Sequence, residues 1–175
     1  LTGLPEGDLA VCGPLARSAA DLKLALSIMA GPGTRQAKGW QLSLKPAVKQ
    51  QLSDYKVVIW ATDDTAPVAE DVSARALGVG AQLEAAGATV SYTARPEFDV
   101  VAAHENYQTL LNSAMTSGMD SEEVARMQQR ADSLDKDDSS RDALITRAAV
   151  LSHRDWIRAN GRREKIRAAW DEFFE

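Results

Sequence analysis

Only one cysteine, Cys12, stands among the 175 residues, so no intramolecular disulfide can form and nothing points to an oxidising compartment. Long apolar runs are missing too. None approaches the roughly 20 residues that a helix needs to cross a bilayer. A basic excess is absent, since 20 Lys and Arg stand against 25 Asp and Glu, for a net charge of -5. That balance argues against a general nucleic-acid or anionic-membrane binder. The opening Leu1-Thr2-Gly3-Leu4-Pro5 has neither the basic start nor the apolar core of a signal peptide. Leu1 is not an initiator methionine, so we expect the chain to begin inside a longer reading frame. Together these absences predict a cytoplasmic protein with no nucleic-acid or membrane partner.

Histidine is scarce as well, which narrows the chemistry. His104-Glu105 opens like a zinc-protease helix motif, but Gln108 stands where the second histidine belongs, so the metal pair is lacking. His153 and Asp155 lie two residues apart on a helix and do not share a face. No Gly-x-Ser-x-Gly elbow precedes a helix. Asp135-Lys136-Asp137-Asp138-Ser139-Ser140 has no glycine at the sixth position of a calcium loop, and Thr146 replaces the bidentate glutamate. We read it as a solvated loop. Gly78-Val79-Gly80 begins a dinucleotide-type pattern, but Leu83 replaces the third glycine and the run lies mid-helix, which suits close packing better than phosphate binding. Cys12 sits in an irregular loop with no activating base in view, so a buried structural thiol is the preferred reading.

What is present suits one globular domain: 45% hydrophobic and 26% charged residues. The pattern predicts loop from Leu1 to Gly13. A strongly apolar helix follows, N-capped by Ser18 with Asp21 as a variant capping box. Gly31-Pro32-Gly33 ends it, and its composition predicts burial on most sides. Thr34 to Asp54 reads as a connection. Tyr55 to Ala61 reads as a strand and Asp63 to Pro67 as a turn. Val68 to Ala86 reads as a helix with an apolar face through Val72, Ala76, Val79 and Leu83, closed by Gly87, and Ala88 to Tyr92 as a second strand. Strand, helix and strand at these lengths make a βαβ unit with parallel strands.

Beyond it the chain reads as helical. Expected helices cover Phe98 to Ser117, Glu122 to Ala131, and one long final helix from a cap at Ser139 or Ser140 to Phe173. Its arginines, Arg141, Arg147, Arg154, Arg158, Arg162, Arg163 and Arg167, are interleaved with Asp142, Asp155 and Glu164, which predicts intrahelical pairs on a wet face. Trp170, Phe173 and Phe174 form an aromatic cluster that needs a partner surface. Two strands alone make a marginal sheet, so the βαβ unit is expected to belong to a larger one.

Cys12-Gly13-Pro14-Leu15-Ala16-Arg17-Ser18-Ala19-Ala20-Asp21-Leu22, with the helix ending Ala30-Gly31-Pro32-Gly33, resembles a Gly-Pro-x-x-Arg-Ser-x-x-Asp-Leu segment of the amidase signature family. Further similarities follow in the family's order: Trp40-Gln41-Leu42, the strand around Val57-Val58-Ile59-Trp60, Pro67, and Ala85-Ala86-Gly87-Ala88. His153-Arg154-Asp155-Trp156, Arg162-Arg163 and Ile166 to Phe174 complete them. The resemblance spans about Leu4 to Phe174.

It implies amide hydrolysis through an acyl-enzyme, with a serine nucleophile, a second serine in a cis peptide and a lysine base. A serine needs such a base, and the tetrahedral anion needs preorganised N–H donors. In family members these groups precede the Gly-Pro segment, so the resemblance places no catalytic residue within residues 1–175. The implied fold is α/β: a helix-rich partial amidase-signature fold whose βαβ unit belongs to a larger mixed sheet. Residues 1–175 would be the C-terminal part of a single amidase domain, inactive alone. No metal or organic cofactor is implied. Cys12 and Arg17 are candidate substrate-binding residues, with an ion pair or carbonyl contact the preferred role for Arg17. Gly13, Pro14, Ser18 and Asp21 read as turn and cap residues. Expected partners are a small-molecule amide, the N-terminal part of the same fold and a possible second copy in a homodimer. The rivals are an interaction module, or part of a transamidating subunit of the same family.

Overall fold

A computed structural model describes residues 9–175. They fall into two compact units, Leu1–Ala47 and Val48–Glu175.

Among its described residues the first unit holds one helix, α1 (Ala19–Met29), and a 3-10 turn at Gln36–Lys38. Ser18 caps α1 as expected, its Oγ accepting from the Asp21 N–H at 3.1 Å. Among the described residues the apolar side chains of α1 are left uncovered. No residue of α1 is buried, and Leu24 and Ile28 are 62% and 76% exposed. The reason is local: the described remainder of this unit is mostly loop, too little structure to cover an apolar helix.

The second unit opens with a 3-10 turn at Leu52–Asp54, where Asp54 Oδ2 accepts from the N–H groups of Gln50 and Gln51. Then come β1 (Lys56–Val58), α2 (Glu70–Ala85) and β2 (Thr89–Ser91). The strands are parallel, pairing Lys56 with Thr89, Val57 with Val90 and Val58 with Ser91, so the βαβ reading holds. Both strands are shorter than the apolar runs that announced them. Gly87 ends α2 with φ +94°, a conformation that glycine adopts without a Cβ penalty.

The inner face of α2 is rotated from the expected one. Val72 and Val79 are exposed, whereas Ser73, Ala76, Gly80 and Leu83 turn inward. Gly80 sets that rotation. A Cβ there would stand 2.8 Å from the Tyr92 hydroxyl oxygen and 2.9 Å from Ile59 Cγ1, so the helix meets the strands through bare backbone. Valine on this line could not come as close.

Four helices complete the unit: α3 (Val100–Met115), α4 (Ser121–Ser133), α5 (Arg141–Ala149) and α6 (His153–Phe174). Each begins at a side-chain cap, on Asp99, Asp120, Ser140 and Ser152. The single long final helix is therefore corrected to two. Ser152 repeats the Ser-x-x-Asp pattern of Ser18 and Asp21. Its hydroxyl accepts from the Asp155 N–H at 3.1 Å and donates to Asp155 Oδ2 at 2.6 Å, fixing a new helix start.

Helix α3 packs against α5 and α6, and α4 against α5. Leu110, Ala143, Thr146 and Ala159 are almost fully buried at these contacts. Small residues on α5 and α6 let the helices approach closely. Asn106, one turn from Leu110, donates from Nδ2 to the Ala159 carbonyl at 3.0 Å and accepts at Oδ1 from Arg162 Nε at 2.8 Å. A buried amide here has partners for both ends, as burial requires.

Candidate functional site

In open α/β sheets, ligands gather beyond the carboxyl ends of the strands, where side chains from successive loops converge. The two strands here end at Val58 and Ser91, and their following loops bring Trp60, Asp63 and Arg95 together. The Asp63 turn is built on its own carboxylate: Oδ1 accepts from the Thr65 N–H at 2.9 Å and the Thr65 hydroxyl at 2.6 Å, while Oδ2 accepts from Trp60 Nε1 at 3.2 Å. The Thr65 hydroxyl and N–H hold the Asp63 carboxyl below the ordinary range, with smaller help from Trp60 and Arg95. Asp63 is therefore a firm anion with little spare acceptor capacity.

Arg95 lies in the loop after β2. Its Nη1 donates to the carbonyls of Tyr92 (3.3 Å) and Ala94 (2.7 Å), and its guanidinium carbon lies 4.5 Å from the Trp60 ring centroid. Arg95 and Trp60 are both half-buried. Trp170 of α6 closes the group from another side, 6.4 Å from Trp60 and 5.8 Å from Phe98. The aromatic cluster at Trp170, Phe173 and Phe174 thus finds part of its partner surface within the unit, although Phe174 remains exposed. Behind this group burial raises the Tyr92 phenol above its ordinary value, reinforced by its hydrogen bond to Glu84.

The candidates Cys12 to Asp21 belong to the first unit. Cys12 is exposed, which corrects the expectation of a buried thiol: the irregular segment around it supplies no element to cover it. Arg17 is exposed and makes no ion pair or hydrogen bond with another described residue. Gly13 has open space around it and Pro14 is half-buried, while Ser18 and Asp21 meet in the α1 cap.

His104 is exposed beside Tyr107 on α3. The Asp135–Ser140 loop is pinned by Arg147, which donates to the Asp135 and Asp138 carbonyls at 2.6 Å each. Intrahelical arginine pairs do occur, at Arg158–Asp155 and Arg167–Glu164. Asp142 instead pairs with Arg130 of α4, and Arg162 with Asn106 of α3. Of the final segment's arginines, Arg147 and Arg162 thus serve contacts between elements rather than a wet face.

The sequence pattern does not single out Arg95, and it marks Asp63 only as part of a turn. The usable signal was positional: each polar residue falls a few places beyond a strand of a parallel pair.

A family model described as Amidase matches residues 5–175. Neither the comparison with curated proteins nor that with solved structures finds a match.

Proposed function

Because the chain belongs to the amidase family, we propose that it forms the carboxyl-side part of a fold that hydrolyses a carboxamide to a carboxylic acid and ammonia or an amine. The family match over residues 5–175 carries this reading. A serine attacks the amide carbonyl, a lysine takes its proton and returns one to the leaving amine, and water then releases the acyl group. Donors aimed at the tetrahedral oxyanion lower the barrier to both steps.

We assign the nucleophile and base to sequence preceding the Gly13-Pro14 segment. The hydrogen bonds of Ser18, Ser27, Ser73, Ser117, Ser133 and Ser152, which go to caps and helix carbonyls rather than lysine or histidine, support that assignment. The role left to these residues is to support the sheet and shape the pocket for a small-molecule amide, with Cys12 and Arg17 as candidate substrate contacts. The test is active-site labelling of the full-length gene product with a fluorophosphonate, followed by peptide mass spectrometry. The label should fall on a serine outside residues 1–175, and these residues alone should release no ammonia from small carboxamides. Labelling of a serine within them, or ammonia release by them alone, would overturn the assignment.

A second reading rests on the exposed apolar side chains of α1. They favour a role as a partner subunit whose helix is covered by another polypeptide. Mass that rises with concentration in light scattering would support it.

A further inference from the structure

Arg95 is a half-buried cation whose place is fixed before any ligand arrives. Two carbonyls hold Nη1, and the Trp60 ring lies under the guanidinium at 4.5 Å. Both Nη1 hydrogens are used in this way, which leaves the three N–H groups of Nη2 and Nε. Among the described residues none of these three has an acceptor, and Arg95 makes no ion pair. Asp63 in the loop opposite feels the Arg95 charge without forming an ion pair, and its oxygens already accept from Thr65 and Trp60. A half-buried guanidinium with no anion in direct ion-pair contact keeps donors with which a ligand can bond. Arginine also offers the fork that meets a carboxylate through two parallel hydrogen bonds, and stacking on an aromatic ring preserves that fork.

We propose that Arg95, stacked on Trp60 at the carboxyl ends of β1 and β2, anchors the free carboxylate of a small amide ligand. The ligand class is a short half-amide, with a carboxylate at one end and a carboxamide at the other. The Nη2 and Nε donors receive the carboxylate, and the Trp60 face and Trp170 flank its hydrocarbon part. The amide portion of this assignment rests on the amidase reading above. The carboxylate portion rests on Arg95 alone.

The test is a titration of the full-length gene product followed by the indole N–H signals in proton–nitrogen NMR, with Trp60 assigned through Trp60→Phe. Succinamate should shift the Trp60 signal saturably, while succinamide, which has the same length and no charge, should not. Arg95→Gln should weaken succinamate at least about tenfold, the loss expected for removing a charge-assisted hydrogen bond. Arg95→Lys should fall between, since it keeps the charge and loses the fork. No saturable shift with succinamate would overturn the proposal, as would equal shifts by the two compounds in the unaltered chain. Unchanged affinity in a folded Arg95→Gln would do the same. The readout is binding rather than ammonia release, so failure here and failure of the amidase reading are separable.

Discussion

Gly80 and Tyr92 approach so closely that a Cβ on the glycine would lie 2.8 Å from the phenol oxygen. The contact locks α2 onto the carboxyl end of β2, next to the loop that carries Arg95. Gly80→Ala forces the Tyr92 ring and Ile59 to shift together. Overpacking of this kind costs about 1–3 kcal/mol, and the gain in helix propensity offsets up to about 1 kcal/mol of it. A net loss of about 1–2 kcal/mol should appear in urea unfolding. Gly78, two residues earlier, has nothing within 4 Å of its would-be Cβ, so Gly78→Ala should raise stability by about 0.5–1 kcal/mol. Opposite signs from two neighbouring glycines would separate packing from propensity.

Asn106 joins α3 to α6 through the Ala159 carbonyl and Arg162. Asn106→Ala removes both bonds and leaves the Arg162 Nε–H without its partner. The expected cost is about 1–3 kcal/mol, because polar groups left unpaired at a buried contact lose more than the bond itself. Asn106→Asp keeps the acceptor for Arg162 but sets a carboxylate oxygen against the Ala159 carbonyl at a site only 5% exposed, so it should cost at least as much as the alanine. Denaturant unfolding of both variants checks the order.

The βαβ unit was legible because Val57-Val58-Ile59-Trp60, the Gly87 stop and the second apolar run all point the same way. Helix α1 was legible through Ser18 and Asp21 for a similar reason. The break between α5 and α6 was not. Residues 141–151 contain neither glycine nor proline, and Ser152 lies within a stretch that otherwise favours helix. The inner face of α2 misled because valines suit a core better than a glycine does, and only the approach of Tyr92 shows which side is inward. The Trp60, Arg95 and Trp170 group depends on strand register and on the docking of α6, which local spacing does not encode.

Ser152 fixes the start of α6, and Ser152→Ala should lower stability by about 1 kcal/mol, as loss of an N-cap does. Its partner Asp155 makes the cap sensitive to acid. The Ser152 hydroxyl, with Arg158 and Arg154, holds the Asp155 carboxyl below its ordinary value of 3.8. A depressed carboxylate stabilises the fold above its unfolded value and loses that contribution as pH falls through the folded one. Asp63 and Asp138, held low through Thr65 and Ser140, act in the same direction. Between about pH 6 and about pH 3, Asp155→Asn should therefore lose less stability than the unaltered chain. Equal losses in urea titrations at the two pH values would show that the Asp155 cap is not a source of acid sensitivity.

Trp170 holds the end of α6 against the strand loops, with ring centroids 6.4 Å from Trp60 and 5.8 Å from Phe98. Phe173 and Phe174 lie 5.8 Å and 5.6 Å from the same indole, so its removal undoes the group from its centre. Full burial would make Trp→Ala cost about 3–5 kcal/mol, and the half-buried indole places this one nearer about 2–3 kcal/mol. Trp170→Phe keeps an aromatic surface and should recover more than half of that loss. Phe174→Ala should cost well under about 1 kcal/mol, because Phe174 is 77% exposed and has little area left to lose. The measurement is thermal unfolding of the three variants. The order Trp170→Ala, then Trp170→Phe, then Phe174→Ala in falling cost follows if Trp170 is the residue that seats α6. A Phe174→Ala as costly as Trp170→Ala would place the seat at the helix terminus instead.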